Sequence, residues 1–494
     1  MNRFLVSRRS YGGILVASAL CFGAPRLGAQ LVTPKTVPIH QNEQFSIFPS
    51  ARYGMGNVSI ALDDTLLDPF INPARAARIR MSSVFTTPYF HDVSSGRGGG
   101  HTLPAGGFAA MGEWSGAGLV AIQQLNQGTG FGQAISERTA ANQYAVGVLA
   151  RRLPNGVSVG GSVYLAGLEA VDGVDLLYAG SDRLDQSGTL VDFRLGMTKS
   201  WDDTRRLDVV LMHNRTNMAQ DVHFTNWVWD PIPRTSRMIE REEHNEDRTN
   251  IWGGHARFTR PVGKQGWRLG LMGTANHLSH PKIPNYQIQN IPRDPGTTYG
   301  YNVGAGVGRV TGTSSFGIDI VEEPMFSTTW ADAARDTLSV NGTTIKAGQH
   351  TVDNHFRFSN VKMRVGFGTD IPMSRDSSSA LGLQVGLSVH SINYRLKQTN
   401  FVLRTYRVQD EGWTEWTPTF GLGWRAKDFQ VQYSYRRTCG PSDCFGFGSQ
   451  QVVFGVEDVA VPSTGGVIAA PSAPLTIDGG TVRAHQISVF IPIR

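Results

Sequence analysis

A chain of 494 residues is long enough for two or three ordinary soluble domains, yet no Pro- or Ser-rich linker divides it, and it carries 57 glycines with only 17% charged and 40% hydrophobic residues. Removing the four arginines of residues 1–29 leaves 42 of the 46 basic side chains against 40 acidic ones, a formal charge of +2. That balance offers nucleic acid no basic surface.

Residues 1–29 read as a secretory signal peptide. Arg3, Arg8 and Arg9 form a positive start, Gly13 to Ala24 an apolar run, and "LGAQ" a small-residue cut after Ala29. "SRRSY" loosely fits a twin-arginine signal instead. Cys21 as a lipid anchor is opposed by the bulk of Leu20 before it. Residues 30–79 form a segment ahead of the first strand, and 80–494 are expected to be one β-structure.

From about residue 80 onward, apolar residues recur at every second position, the period of a strand with one apolar face. In "VDFRLGMT" Val191, Phe193, Leu195 and Met197 oppose Asp192 and Arg194. In "VKMRVGFG" Val361, Met363, Val365 and Phe367 oppose Lys362, Arg364 and two glycines. "LGLQVGLSVH" (381–390), "FQVQYSYR" (429–436) and "HQISVFIPIR" (485–494) repeat the pattern, the last ending on Arg494 rather than on an aromatic residue. No segment after the signal has the ~18 unbroken apolar residues of a spanning helix.

A soluble sandwich can alternate in this way, but three features favour a transmembrane antiparallel barrel. The segments run about ten residues, enough to cross a bilayer at a tilt. The second face mixes glycine with charge, with Arg194, Asp319, Lys362 and Arg364 as lumen-facing candidates. Trp114, Tyr144, Trp201, Trp252, Trp267 and Trp424 sit near segment ends as candidate interface girdles. Connections also sort by parity. Residues 153–156, 202–205, 262–266 and 426–428 are short, whereas 169–187, 217–248, 278–298, 323–353 and 397–416 are long loops. The fold expected is therefore all-β, a barrel of about 14–16 strands in the cell outer membrane, in contact with outer-membrane lipids.

"MGNVSIALDDTLLDPFINPARAARI" (55–79) precedes the first strand. Gly56, Ala61, Asp63, Asp64, Asn72, Pro73 and Ala74 resemble the small-residue run, acidic pair and Asn-Pro-Ala of FadL-type fatty-acid channels and related PorV-like outer-membrane proteins. Arg75 stands where that family carries Gly. "QYAVGVLARRLPNGVSVGGSVYLAGLE" (143–169) and the hairpin at 190–214 resemble the following strands. The resemblance implies a barrel of about 14 strands whose N-terminal segment folds inward as a hatch, with Asp63, Asp64, Asn72, Pro73 and Ala74 as its motif. It further implies passage or handover of hydrophobic small molecules or secreted protein. A periplasmic strap is the plainer reading of 30–79. A closed barrel serving as a protein-binding or structural module is the alternative function.

Other constellations carry less. Cys439 and Cys444 flank a Gly-Pro loop and are expected to form a disulfide in an exported chain. "EREEHNEDR" (240–248) lacks calcium-loop spacing and reads as a solvated loop. "HLSH" (277–280) lacks a third metal ligand and reads as loop. "GRGGGHTLPAGG" (96–107) lacks the Lys-Ser/Thr of a phosphate loop and reads as a flexible outer loop. "HFTNWVWDPIP" (223–233) falls in the longest loop, and "QQVVFGVE" (450–457) reads as a hairpin arm. His213 and Asn214 beside plentiful serines invite comparison with a lipase, but no motif joins them. No catalytic set, metal site or cofactor is expected.

Overall fold

The computed structural model describes residues 45–493 except 94–97, 128–137, 172–180, 203, 231–234, 264, 282–294, 375–378 and 441–480. The signal segment, Cys444 and "QQVVFGVE" lie outside the described residues.

The strands are β1 (Ser83–Thr86), β2 (Tyr89–Val93), β3 (Gly99–Met111), β4 (Trp114–Gln127), β5 (Arg138–Arg152), β6 (Val157–Leu168), β7 (Arg183–Ser200), β8 (Arg206–Asp230), β9 (Thr235–Pro261) and β10 (Trp267–His280). They continue as β11 (Gly296–Thr311), β12 (Ser314–Asp332), the small pair β13 (Thr337–Leu338) and β14 (Thr344–Ile345), then β15 (His350–Pro372), β16 (Ala380–Asn400), β17 (Thr405–Arg425), β18 (Gln430–Cys439) and β19 (Thr481–Pro492). Every large strand pairs antiparallel with its sequence neighbours. β1 and β2 both pair with β19 on one side and β3 on the other, so they are one strand interrupted at Thr87-Pro88. The ring therefore closes as a 16-stranded barrel. That is the upper end of the range expected from alternation, and two strands above what the resemblance implies.

Side chains obey the two-residue period. Leu195, Leu211, Val120 and Ile122 are all more than 60% exposed on the outer wall, which is apolar because it faces lipid rather than water. The tight connections, including 112–113, 201–205 and 262–266, gather at the end that also holds Ser83 and Pro492. At that end arginines lie over Trp114, Trp201 and Trp267, each about 5.4 Å from the ring. Trp252, Tyr299 and Phe326 mark the other border. Between Trp267 and His277 the ten residues of β10 rise roughly 25 Å at the usual tilt, the height of a bilayer's apolar band. Tyr144 does not belong to either girdle: it faces inward and is buried.

Several stretches read as loops are strands. Residues 217–230 and 235–248 are the upper arms of β8 and β9, residues 397–416 belong largely to β16 and β17, and the ends of 323–353 extend β12 and β15. "GRGGGHTLPAGG" enters β3, "HLSH" ends β10, and "EREEHNEDR" lies within β9. Above the bilayer both faces of an arm are wet, so alternation of polarity vanishes while the hydrogen-bond ladder continues.

Residues 45–80 lie inside the barrel as an inner ribbon. It contains a short helix α1 (Asp68–Ile71) and two 3-10 turns, Tyr53–Met55 and Pro73–Arg78.

Candidate functional site: a ribbon between two unlike walls

The lumen wall changes character around its circumference. From β3 to β6 its inward residues are chiefly apolar, including Phe108, Leu119, Tyr144 and Val146, and Leu190 on β7 and Val222 on β8 extend that surface among buried polar neighbours such as Asp192 and Gln220. The ribbon turns Ile47, Phe48, Phe70, Ala76 and Ala77 toward this side. A series of ring contacts climbs the lumen here. Phe490 meets Phe85 at 5.6 Å, Phe85 meets Phe108 at 5.1 Å, and Phe108 meets Phe70 at 6.0 Å. Phe70 meets Phe48 at 5.1 Å, Phe48 meets Tyr164 at 6.2 Å, and Tyr164 meets Tyr144 at 6.2 Å. Such offset and edge contacts suit aromatic quadrupoles. Tyr144 donates its hydroxyl to Gln123 at 2.7 Å, so the polar tip is satisfied.

The opposite wall holds the ribbon by its backbone. Asp319 accepts the N–H of Ser59 at 2.7 Å and of Ile60 at 3.2 Å. Gln384 donates to the carbonyl of Ala51 at 2.8 Å, Thr419 to Gly54 at 2.9 Å, Arg257 to Ser59 at 2.7 Å and Arg364 to Asn57 at 3.3 Å. These bonds satisfy ribbon groups that no sheet or helix pairs. Close approach needs glycine: a Cβ on Gly54 would stand 2.7 Å from the backbone of Gly421, and one on Gly366 would strike the carbonyl of Met55.

Where the two walls meet, a cluster of charges locks the ribbon. Arg75 is buried and pairs with Asp208 at 2.6 Å, Asp63 at 2.9 Å and Asp68 at 3.0 Å. Arg257 reaches Asp68 and Asp208, both at 3.3 Å, and Arg206 reaches Asp63 at 2.8 Å. Three carboxylates thus face three guanidiniums, with Arg78 on Asp63 at the rim. Burial pushes the Asp63 carboxyl up, but Arg75, Arg206 and Arg257 outweigh it and hold it well below the usual carboxylate range. Its contribution to stability is therefore present above the ordinary carboxylate pKa, and is lost only in acid stronger than normally titrates Asp.

The motif residues divide between these roles. Asp63 belongs to the charge cluster. Asp64 accepts the hydroxyl of Ser50 at 2.7 Å and the N–H groups of Ala51, Leu66 and Leu67, so it shapes the ribbon's own turn. Asn72 caps the second 3-10 turn by accepting the N–H of Ala74 at 3.0 Å, while its amide donates to Thr198 at 3.2 Å and Asp208 at 3.3 Å. Pro73 begins that turn and leaves no N–H to satisfy. A Cβ on Gly160 would lie 2.7 Å from Pro73, so the barrel wall has glycine where the turn presses on it.

The four lumen-facing candidates all point inward. Arg194 bonds Asp192 at 2.7 Å and the carbonyl of Phe70 at 3.3 Å; Asp319 and Arg364 bind the ribbon as described. Lys362 lies higher, 3.7 Å from Glu323, which also pairs with His390 at 2.7 Å. Phe358, Tyr394, Leu396 and Trp413 form an apolar cluster on the same strands. Asp68, Arg75, Arg206, Asp208 and Arg257 were not identified as site residues by alternation. The one signal was Arg75 itself, a charge at a position where the resembled family has glycine and a buried guanidinium demands partners. Cys439 is buried at the end of β18 and disulfide-bonded. His213 and Asn214 face opposite sides of the wall, so they share no site. Among the described residues no cluster has the makings of a metal site.

No family model and no curated protein matches the chain. Among solved structures it is similar to a Pseudomonas aeruginosa FadL homologue, at 10% identity over 90% of this chain and 98% of that one, with a TM-score of 0.41. It is similar to the TodX monoaromatic hydrocarbon channel, at 10% identity over 91% and 100% of the two chains and a TM-score of 0.38. A bacterial polysaccharide outer membrane secretin matches at 6% identity over 84% and 99%, with a TM-score of 0.36. At such TM-scores the matches carry no inference about cargo or mechanism, and the barrel rests on its own strand ladder.

Proposed function

We propose that this chain is an outer-membrane barrel that passes apolar small molecules down the aromatic side of its lumen, with the segment 30–79 as a hatch behind a signal peptide and ahead of the barrel, 80–494. The observation that carries the reading is the unbroken run of rings from Tyr144 to Phe490, in which Phe48 and Phe70 of the ribbon join the aromatic rings of the wall, so that a shift of the ribbon would bare an apolar path. An apolar solute slides along such a surface without asking for hydrogen bonds, whereas the opposite wall is bonded to the ribbon and acts as its anchor. Asp63 and Asn72 hold the hatch to β8, Asp64 shapes its turn, and Pro73 and Ala74 seat it on the wall. The Cys439–Cys444 pair closes the connection after β18.

Deleting residues 45–71, before Asn72, tests the hatch. Conductance in planar bilayers rises if the ribbon plugs the lumen, and unchanged low conductance sinks the reading. A second reading, a closed barrel that hands over or holds a secreted protein, draws on the β8–β9 arm, whose strands of 25 and 27 residues far exceed a bilayer crossing. In that case the same deletion leaves conductance flat but weakens recovery of the partner. Mass spectrometry of material co-purified in mild detergent separates the two: apolar small molecules in the first case, exported proteins in the second.

A further inference from the structure

The outer wall between β5 and β11 is hollowed. It carries a groove of about 1140 Å³. Its floor is Gly147, Gly161 and Gly254, where the absent side chains leave the wall hollow, and Leu149, Leu195 and Leu211 flank it. These glycines are not demanded by packing. A Cβ on Gly147 meets nothing within 4 Å, and on Gly161 or Gly254 it makes only ordinary contacts at 3.8 Å. They contrast with the lumen glycines, where a Cβ would collide with the ribbon.

The upper rim is one cross-strand row: His213 on β8, Trp252 on β9, His277 on β10 and Tyr299 on β11. The His213 and Trp252 rings lie 4.2 Å apart, and those of His277 and Tyr299 4.8 Å. One step above His213 on the same face stands exposed Arg215, and its cross-strand neighbours Val191 and Asn250 carry no charge. An apolar trough below, an amphipathic aromatic rim and nitrogen donors above match a lipid in its natural orientation. Tails take the trough, and a phosphate takes the donors, which suit it better than a neutral head.

We propose that this groove binds a phosphate-bearing membrane lipid, with its acyl chains across Gly147, Gly161 and Gly254 and its phosphate held by Arg215 with His213. The site is on the outside of the barrel and stands or falls independently of any passage through the lumen.

The test uses the full chain, purified in mild detergent and exchanged into nanodiscs that contain either phosphatidylglycerol or a galactosyl diacylglycerol with the same chains and no phosphate. Native mass spectrometry then reads the lipid that survives release. Expected is a single phosphatidylglycerol per chain and no retained galactolipid. Gly147→Leu with Gly161→Leu, which fills the trough where there is open space, lowers retention about tenfold or more, and Arg215→Ala about tenfold. Heat-resistant migration in SDS confirms that each variant is folded. Equal retention of both lipids overturns the phosphate contact. Retention unchanged by the leucine pair, or a doubled mass with no lipid, overturns the site.

Discussion

The two walls of the lumen grip one ribbon by different physics. From β3 to β6 the grip is chiefly apolar surface and stacked rings, which are non-directional, and on β7 and β8 it is joined by polar bonds from Arg194 to the Phe70 carbonyl and from Asn72 to Thr198 and Asp208. From β9 through β18 it is hydrogen bonds to the ribbon's backbone and glycines that admit it, which fix both register and distance. On the proposed reading, a hatch held in this way would yield first along its apolar edge, with the Arg75 cluster between the two edges setting how firmly it stays.

The largest effect is expected at that lock. Arg75→Ala leaves three buried carboxylates without their shared cation, a loss of about 3–5 kcal/mol for a broken buried pair. Conductance should rise, and protease should reach the ribbon. If Arg75→Ala behaves as wild type, the cluster is not what holds it. Next, Gly54→Val forces the ribbon off β17 by overpacking, at about 1–3 kcal/mol. It should open the lumen from the anchored side, and a silent Gly54→Val would mean that the polar wall is slack. Smaller still is Phe70→Leu on the apolar side, at under ~1.5 kcal/mol. It should alter passage of apolar solutes while leaving resting conductance unchanged. The reverse outcome would make the rings structural filler.

The smallest effect lies outside both walls. On the upper arm the hydrogen bond that the His244 imidazole donates to the Asp221 carboxylate raises its pKa, with Glu246 adding to it. A raised value means that the interaction is fully present below the ordinary imidazole pKa and fades as pH rises through the folded one. Amide exchange at the β8–β9 arm should therefore quicken from pH 6 to pH 8, while exchange in the barrel wall tracks intrinsic chemistry alone. Equal behaviour of His244→Gln and wild type across that range would remove the effect.

Much of this was legible in the sequence because a lipid-facing wall imposes a two-residue period. Arg194, Asp319, Lys362 and Arg364 could be placed on the inner face by parity alone, and so could the outward Phe193, Met363 and Ile487. Tyr144 was misplaced because an aromatic near a segment end reads as a girdle unless its parity is followed. The upper arms were missed for the opposite reason. Glu240 to Arg248 are charged on both faces because both are wet, so hydrogen bonding persists where periodicity does not. The lock was out of reach of local pattern, since Arg75 and Asp208 are joined only by the fold.

The interruption at Thr87-Pro88 has a mechanical meaning. The ring is closed by β1, of four residues, and β2, of five, against β19, while elsewhere its neighbours share as much as the 25-residue length of β8. Pro88 brings no N–H to the join. Its nine paired positions are split into runs of four and five, whereas β18 and β19 beside it share an unbroken ten, so it is the interrupted weld of the hoop. Lateral pressure from the bilayer, or a swelling of the lumen when the ribbon shifts, is therefore borne by a closure next to Phe85 and Phe490, the lowest rings of the apolar series.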